Sequence, residues 1–241
     1  MIWLRSLLFN IFGLLTVTLA AVLLLVTFWA PYRLHWAICV GWCRLTMWAV
    51  RFFCGIRIQV EGRENLPDVP SVIMIKHSST METLWQVTAF PRTTWVLKRE
   101  VQWIPILGWG LAVLKPIAID RAGGGSAVKQ VIRQGSEMLR SGVWVTIFPE
   151  GTRVPPGETR RYGVSAAALA REACAPIVPV AHNAGDLWTR GSFAKKVPGT
   201  VRFCIGPPID ATTQSPKETN VIVQDWVEGK MREISPAYKA K

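Results

Sequence analysis

The stretch "SVIMIKHSSTMETLW", residues 71–85, joins an apolar run to a polar turn and then to an amphipathic segment. Residues 71–76 are short, rich in Val and Ile, and bounded by polar residues, which reads as a strand. From Thr80 onward the spacing of Met81, Leu84 and Trp85 suits the start of a helix. His77 therefore sits where a strand ends, and Glu82 falls in the first turn of the helix that follows. Strand ends of this kind are where α/β sheets commonly carry their sites.

The same alternation continues outward on both sides. "TTWVLK" (93–98), "KPIAID" (115–120), "VWVTIF" (143–148), "PIVPVA" (176–181) and "VRFCIG" (201–206) are further short strands, mostly bounded by Pro or Gly. Residues 126–142 form a helix with Ser126 as its cap, an apolar face of Val128, Val131, Ile132, Met138 and Leu139, and Gly142 at its end. Residues 163–175 make a small-residue helix, and 216–234 an amphipathic closing helix. The three glycines at 123–125 read as a turn. Strands alternating with helices predict an α/β domain with a mixed, largely parallel sheet flanked by helices on both faces.

Upstream the composition differs. Between Arg5 and Arg33 lie 27 residues without a charge, more than the ~20 that a helix needs to cross the hydrocarbon. The run is too long for the core of a cleaved leader, and it ends near Trp29 and Tyr32, which suit a membrane interface. Pro31 breaks the helix. On the segment that follows, Arg33, Arg44 and Arg51 project within about 20° of one direction at ~100° per residue. An arginine stripe on a tryptophan-rich apolar helix predicts a helix lying in the interface against anionic headgroups, the alternative being a second span with snorkelling arginines. The division expected is a membrane-anchoring helix hairpin over 1–57 and a globular domain over 58–241.

The chain of 241 residues carries a net charge of +12, with 28 Lys+Arg against 16 Asp+Glu, and a mean hydropathy of +0.24. Such an excess of cations seeks an anionic partner. No lysine-rich tail or RNA-binding aromatic signature accompanies it, so membrane and phosphate are favoured over nucleic acid. The five cysteines form no CxxC pair and no zinc spacing, which predicts small buried hydrophobes and no metal site.

Two motifs carry the chemistry. In His77-x4-Glu82 a carboxylate bonded to one ring nitrogen would fix the imidazole's tautomer and leave the other nitrogen basic. The competing reading is a capping box, Ser79-x-x-Glu82, in which the glutamate only closes a helix N-terminus. The second motif is "FPEGTR", Phe148 to Arg153, a sharp loop after an apolar strand that projects Glu150 and Arg153. A guanidinium there can take a phosphate by two parallel bonds. Ser78 and Ser79 raise a rival in which a serine is acylated first, but no GxSxG elbow supports it. Residues 101–114, with Trp103 and Trp109, read as an acyl groove, a bilayer contact or plain core. His35 and His182 lack evident partners and read as structural.

In order along residues 71–182 stand "KHSSTME", "LGWGLAVLKPIAIDR" ending at Arg121, "FPEGTR" and "IVPVAH" around Pro179. This series resembles the glycerolipid acyltransferase family, in particular its bacterial lysophosphatidate acyltransferases. Two departures stand out: Glu82 where the family usually has Asp, one methylene longer, and Lys76 where it usually has Asn. The resemblance implies a glycerol-3-phosphate acyltransferase-like fold. It implies transfer of a fatty acyl group from acyl-CoA or acyl carrier protein to the 2-hydroxyl of 1-acyl-glycerol-3-phosphate, giving phosphatidate. His77, oriented by Glu82, would be the base. Lys98, Arg121 and Arg153 would hold the phosphate, with Glu150, Gly151 and Thr152 shaping that pocket. No metal or organic cofactor is implied, and the setting would be the bacterial inner membrane, catalytic domain toward the cytoplasm. The alternatives are another acceptor, whether glycerol-3-phosphate, another lysophospholipid or a lyso-ornithine lipid, and a non-catalytic lipid-binding role at the membrane.

Overall fold

The structure, a computed structural model, describes residues 1–189, 191 and 195–239. Two long helices open the chain: α1 (Ile2–Val26) and α2 (Tyr32–Cys54). Seven strands then alternate with shorter helices: β1 (Ile56–Glu61), β2 (Val72–Ile75), α3 (Met81–Ala89), β3 (Thr93–Lys98), α4 (Leu107–Val113), β4 (Ile117–Ile119), α5 (Gly125–Arg140) and β5 (Trp144–Ile147). After them come α6 (Ser165–Glu172), β6 (Ile177–His182), α7 (Ala184–Leu187), β7 (Gly199–Ile205), α8 (Pro216–Ile234) and α9 (Pro236–Lys239).

The strands form one sheet in the order β1-β7-β6-β2-β5-β3-β4. Neighbours run parallel throughout except for β6 and β7. The expected mixed, largely parallel sheet is therefore the one found. The strand that sequence reading missed is β1, although Ile56, Ile58 and Val60 alternate with Arg57, Gln59 and Glu61 in the period-two pattern of a half-covered strand. It begins at Ile56, immediately after α2, so the 57/58 division falls inside it.

Alternation along β2 splits the core in two. Val72 and Met74 face α5, α6 and α8, joining Val131, Leu139, Ala170 and Val223. Ile73 and Ile75 face the other way, against Met81 and Trp85 of α3 and Val50 and Cys54 of α2, with Phe9 of α1 in the same cluster. Each large apolar side chain buried in these layers contributes ~1.5–3 kcal/mol. The hairpin thus contributes to one core layer and packs directly on the sheet domain. Both hairpin helices are long and apolar enough to cross a bilayer. On α2 the three arginines are exposed, while His35, Cys39, Cys43 and Val50 are buried on the opposite side.

Smaller expectations need correction. Ser126 lies inside the first turn of α5 and donates to the Gly123 carbonyl at 2.8 Å; Gly124 occupies the cap position. Cys174 is exposed, whereas the other four cysteines are buried. His35 has a partner, the Thr27 carbonyl at 2.6 Å, where α1 ends.

Candidate active site

Strands β2, β3, β4, β5 and β6 all run in one direction, so their carboxyl ends share one edge of the sheet. That edge collects the loops carrying His77, Lys98, Arg121, Phe148–Arg153 and His182. The β2–β6 ladder ends with the Lys76 N–H donating to the Val180 carbonyl at 3.1 Å, and His77 is the next residue. Open parallel sheets place ligands outside this edge.

The turn 77–80 folds back so that His77 Nδ1 lies 2.8 Å from Glu82 Oε1. The same oxygen accepts the backbone N–H groups of Ser78 at 3.1 Å and Ser79 at 2.9 Å. The two competing readings of this spacing are joined in one atom: Glu82 tidies the helix entrance and grips the imidazole. The reciprocal half of a capping box is absent, because Ser79 Oγ accepts from Met81 N and donates to the Trp188 carbonyl. Burial opposes charge on Glu82, but the Nε2–H of His182 facing it, the bond from His77 and the Ser79 N–H together hold its carboxyl below the usual range. A carboxylate only accepts, so Nδ1 carries the ring proton and Nε2 keeps its lone pair.

The "FPEGTR" loop packs around the same histidine. Phe148 stacks on the imidazole with ring centroids 4.2 Å apart. The Val154 N–H donates to the His77 carbonyl at 2.8 Å, and the His77 N–H donates to Glu150 Oε1 at 3.3 Å. Gly151 turns the loop at φ 69°, a conformation that a side chain would strain. The loop thus forms part of the mount for His77 as well as presenting Arg153.

Lys76 points away from the imidazole. Its ammonium is buried, 2.6 Å from Glu228 Oε1 of α8 and 3.6 Å from Glu150 Oε1. Burial pushes the Glu150 carboxyl up to about 7; Lys76 pulls it down, as do backbone bonds, and Glu228 adds to the rise. Glu150, which sequence reading assigns to the phosphate pocket, therefore lies behind His77. The serine hydroxyls also turn elsewhere: Ser78 abuts Gly185, and Ser79 is bonded to Trp188.

In front of His77 opens a cavity of about 540 Å³, within the usual range for small-molecule sites. His77, Lys98, Arg121 and Arg153 line it together with Phe148, whereas Glu150, Gly151 and Thr152 do not line it. Lys98 pairs with Glu100 at 3.2 Å; neither Arg121 nor Arg153 has an ion-pair partner among the described residues. The remaining wall is mostly apolar, with Ala21 and Leu24 of α1, Trp42 of α2, Val87 of α3, Leu111 of α4 and Leu114, and Thr80, Thr83 and Gln86 are its polar members. Segment 101–114 divides between two expected roles. Val101, Leu107, Leu111 and Leu114 line the cavity, whereas Trp103, Ile104, Ile106 and Trp109 are exposed on the outer surface.

A basic histidine nitrogen, free guanidinium groups and a long apolar wall in one cavity are the parts that acyl transfer to a phosphorylated alcohol requires. Comparison with known proteins agrees: the acyltransferase family model matches residues 57–183. The chain belongs to the acyltransferase family. A 1-acyl-sn-glycerol-3-phosphate acyltransferase of Pseudomonas aeruginosa is 45% identical over 210 residues, covering 86% of this chain and 81% of that protein. The alpha form of the same enzyme from Mus musculus is 28% identical over 178 residues, covering 73% of this chain and 62% of the mouse protein. In fold, the acyltransferase domain and its helix hairpin resemble the crystal structure of PlsC, an LPA acyltransferase from Thermotoga maritima. The TM-score is 0.78, at 21% identity and 97% coverage of both chains.

Neither the stacking of Phe148 on His77 nor the partners of His182 are foreseen from the sequence. The first had a signal, since Phe148 ends an apolar strand inside a recognised motif. The second depends on the pairing of β2 with β6, which no local pattern announces.

Proposed function

We propose that this acyltransferase moves a fatty acyl group from an acyl thioester to the free 2-hydroxyl of 1-acyl-glycerol-3-phosphate, forming phosphatidate. The observation that carries the reading is the cavity: His77 opens onto it beside Lys98, Arg121 and Arg153, and most of the rest of its wall is apolar. The acceptor's phosphate binds the two arginines, which suit it by bidentate, charge-assisted bonds. Nε2 of His77 takes the proton of the 2-hydroxyl, and Glu82 stabilises the imidazolium that forms. The alkoxide attacks the thioester carbonyl, the carbon–oxygen bond forms, and the carbon–sulfur bond breaks. The thiolate leaves with the proton from His77. The apolar wall takes acyl methylenes, each worth ~0.8 kcal/mol on burial. No metal or organic cofactor takes part, and acyl-CoA or acyl carrier protein serves as donor.

The hairpin sets the enzyme in the membrane that holds both acceptor and product. Exposed Leu7, Leu14, Leu15 and Leu19 of α1 enter the bilayer together with Trp103 and Trp109, and the arginines of α2 meet anionic headgroups. We place the site on the cytoplasmic side of a bacterial inner membrane, where acyl thioesters are made. Residues 1–57 then act as anchor and 58–241 as the catalytic part.

The test uses the full chain purified in detergent with labelled acyl-CoA or acyl carrier protein and a panel of acceptors: 1-acyl-glycerol-3-phosphate, glycerol-3-phosphate and uncharged or zwitterionic lyso-lipids. Phosphatidate should form at least tenfold faster than any other product. A preferred acceptor without a phosphomonoester, or no transfer with any acceptor, overturns the reading.

A further inference from the structure

His182 ends β6 and is fully buried, and the reaction as drawn does not use it. Both its ring nitrogens are engaged. Nδ1 accepts the Ala184 N–H at 3.2 Å, so the ring proton resides on Nε2, which donates to the Lys76 carbonyl at 2.6 Å. Burial pushes the imidazole's pKa down against the pull of Glu82, which favours this neutral form. Phe203 packs against the ring with centroids 5.1 Å apart and limits its rotation.

The carbonyl that His182 grips belongs to the same peptide group as the His77 N–H, and that N–H is held by Glu150 at 3.3 Å. The peptide leading into the base is therefore clamped at both ends by buried side chains from two different strand termini. The ring also faces Glu82 Oε2 at 3.9 Å, the carboxylate oxygen that has no hydrogen-bond partner among the described residues. Donors that fix a reacting group before substrate arrives lower the cost of reaching the productive geometry, and displacements near 1 Å are costly.

We propose that His182 is a positioning residue for His77: through the Lys76 carbonyl, and opposite Glu150, it fixes the peptide that aims the imidazole at Glu82 and at the cavity. The inference rests on the reading of His77 as the base. It differs from a packing role because only the Nε2 donor matters, not the volume of the ring.

Two substitutions separate these. His182→Gln keeps a donor near the Nε2 position and so retains the grip on Lys76. His182→Asn keeps an acceptor near Nδ1 for Ala184 but is too short to reach the carbonyl. The full chain in detergent, labelled with 15N-histidine, gives two readouts: kcat and KM for both substrates, and the hydrogen-bonded Nδ1–H resonance of His77. His182→Asn should lower kcat at least tenfold with each KM within about threefold of the parent, and should shift or broaden that resonance. His182→Gln should stay within about threefold of the parent kcat with the resonance in place. Each variant keeps one of the ring's two bonds, so a folding defect would strike them alike. Equal loss in both, an unaltered His182→Asn, or a change in KM alone overturns the proposal. If the parent chain transfers no acyl group, the functional reading fails, and the resonance still decides whether His182 holds His77.

Discussion

Glu82 Oε1 gathers three donors, one of them the imidazole of His77, whereas Oε2 gathers none among the described residues. Such concentration orients one ring nitrogen and leaves the other for a proton. His77→Ala should lower kcat by ~10²–10⁴-fold, the usual contribution of a positioned general base. Arg153→Ala should leave kcat within a few-fold and raise the acceptor KM by roughly 10–100-fold, since a charge-assisted bond is worth ~1.5–3 kcal/mol; steady-state kinetics with varied acceptor checks both. Glu150 offers a second test. Its carboxyl, raised to about 7 in the folded chain, binds a proton more tightly there than when unfolded. Its contribution is therefore present at low pH and lost as pH rises through about 7, with a magnitude on the order of 3 kcal/mol. Glu150→Gln mimics the protonated form, so its thermal midpoint relative to the parent should rise between pH 5 and pH 8. A midpoint difference that is flat or falls over that range contradicts the assignment. The residues in these tests are nameable from their motifs, but the position of Glu150 behind His77 is not. That position follows from the turn at Gly151 and from the buried ammonium of Lys76, which comes from another strand.

At the level of elements, the cavity exists because α4 presses against α1. A Cβ built on Gly110 would lie 2.9 Å from Ala21 Cα, too close for any real contact. Gly110→Val should therefore push the two helices apart, at a cost of ~1–3 kcal/mol from overpacking, and should change the preferred acyl-chain length; thermal unfolding and a chain-length series of thioesters measure the two effects. Lys76 links other elements, tying the end of β2 to α8 through Glu228. Lys76→Met should cost ~3–5 kcal/mol, because it leaves Glu150 and Glu228 buried without their cation, and denaturant unfolding at pH 7.5 reads the loss. Most elements were legible: β2, β3, β5, β6 and β7 as short Val/Ile runs, and α8 at its full length, Pro216–Ile234. The strand β1 escaped because its alternating pattern sits directly against the apolar α2, where a change of period is hard to see over six residues. The cap of α5 escaped because Gly124, at φ 52°, starts the helix without using a side chain.

Over the whole molecule, the hairpin is both a candidate membrane element and a wall of the site. Phe9, Ala49, Val50 and Cys54 share a core with Trp85, Trp188 and Phe203, so a chain that begins at residue 56 would expose that layer. Membrane contact is better tested by charge. Arg33, Arg44 and Arg51 are exposed on α2, and each cation near an anionic surface contributes ~1 kcal/mol. The triple change to Gln should weaken binding to anionic vesicles by roughly 10²-fold at low salt while leaving the unfolding midpoint of the detergent-solubilised protein within a few degrees. Equal binding of both forms to anionic vesicles would remove the arginines from the membrane contact. Sequence alone determined the α/β class and the two long apolar helices, and it offered the pairing of His77 with Glu82 beside a capping reading of the same glutamate. All of these depend on periodicity or on spacings of a few residues, which the chain carries locally. Tertiary structure decided that Lys76 turns away from the imidazole of His77, that Glu150 and His182 meet at the peptide joining these two residues, and that Arg121 and Arg153 share one cavity with the hairpin. Those relations join segments tens to more than a hundred residues apart, and the direction of each side chain depends on strand order and register, which no single segment specifies.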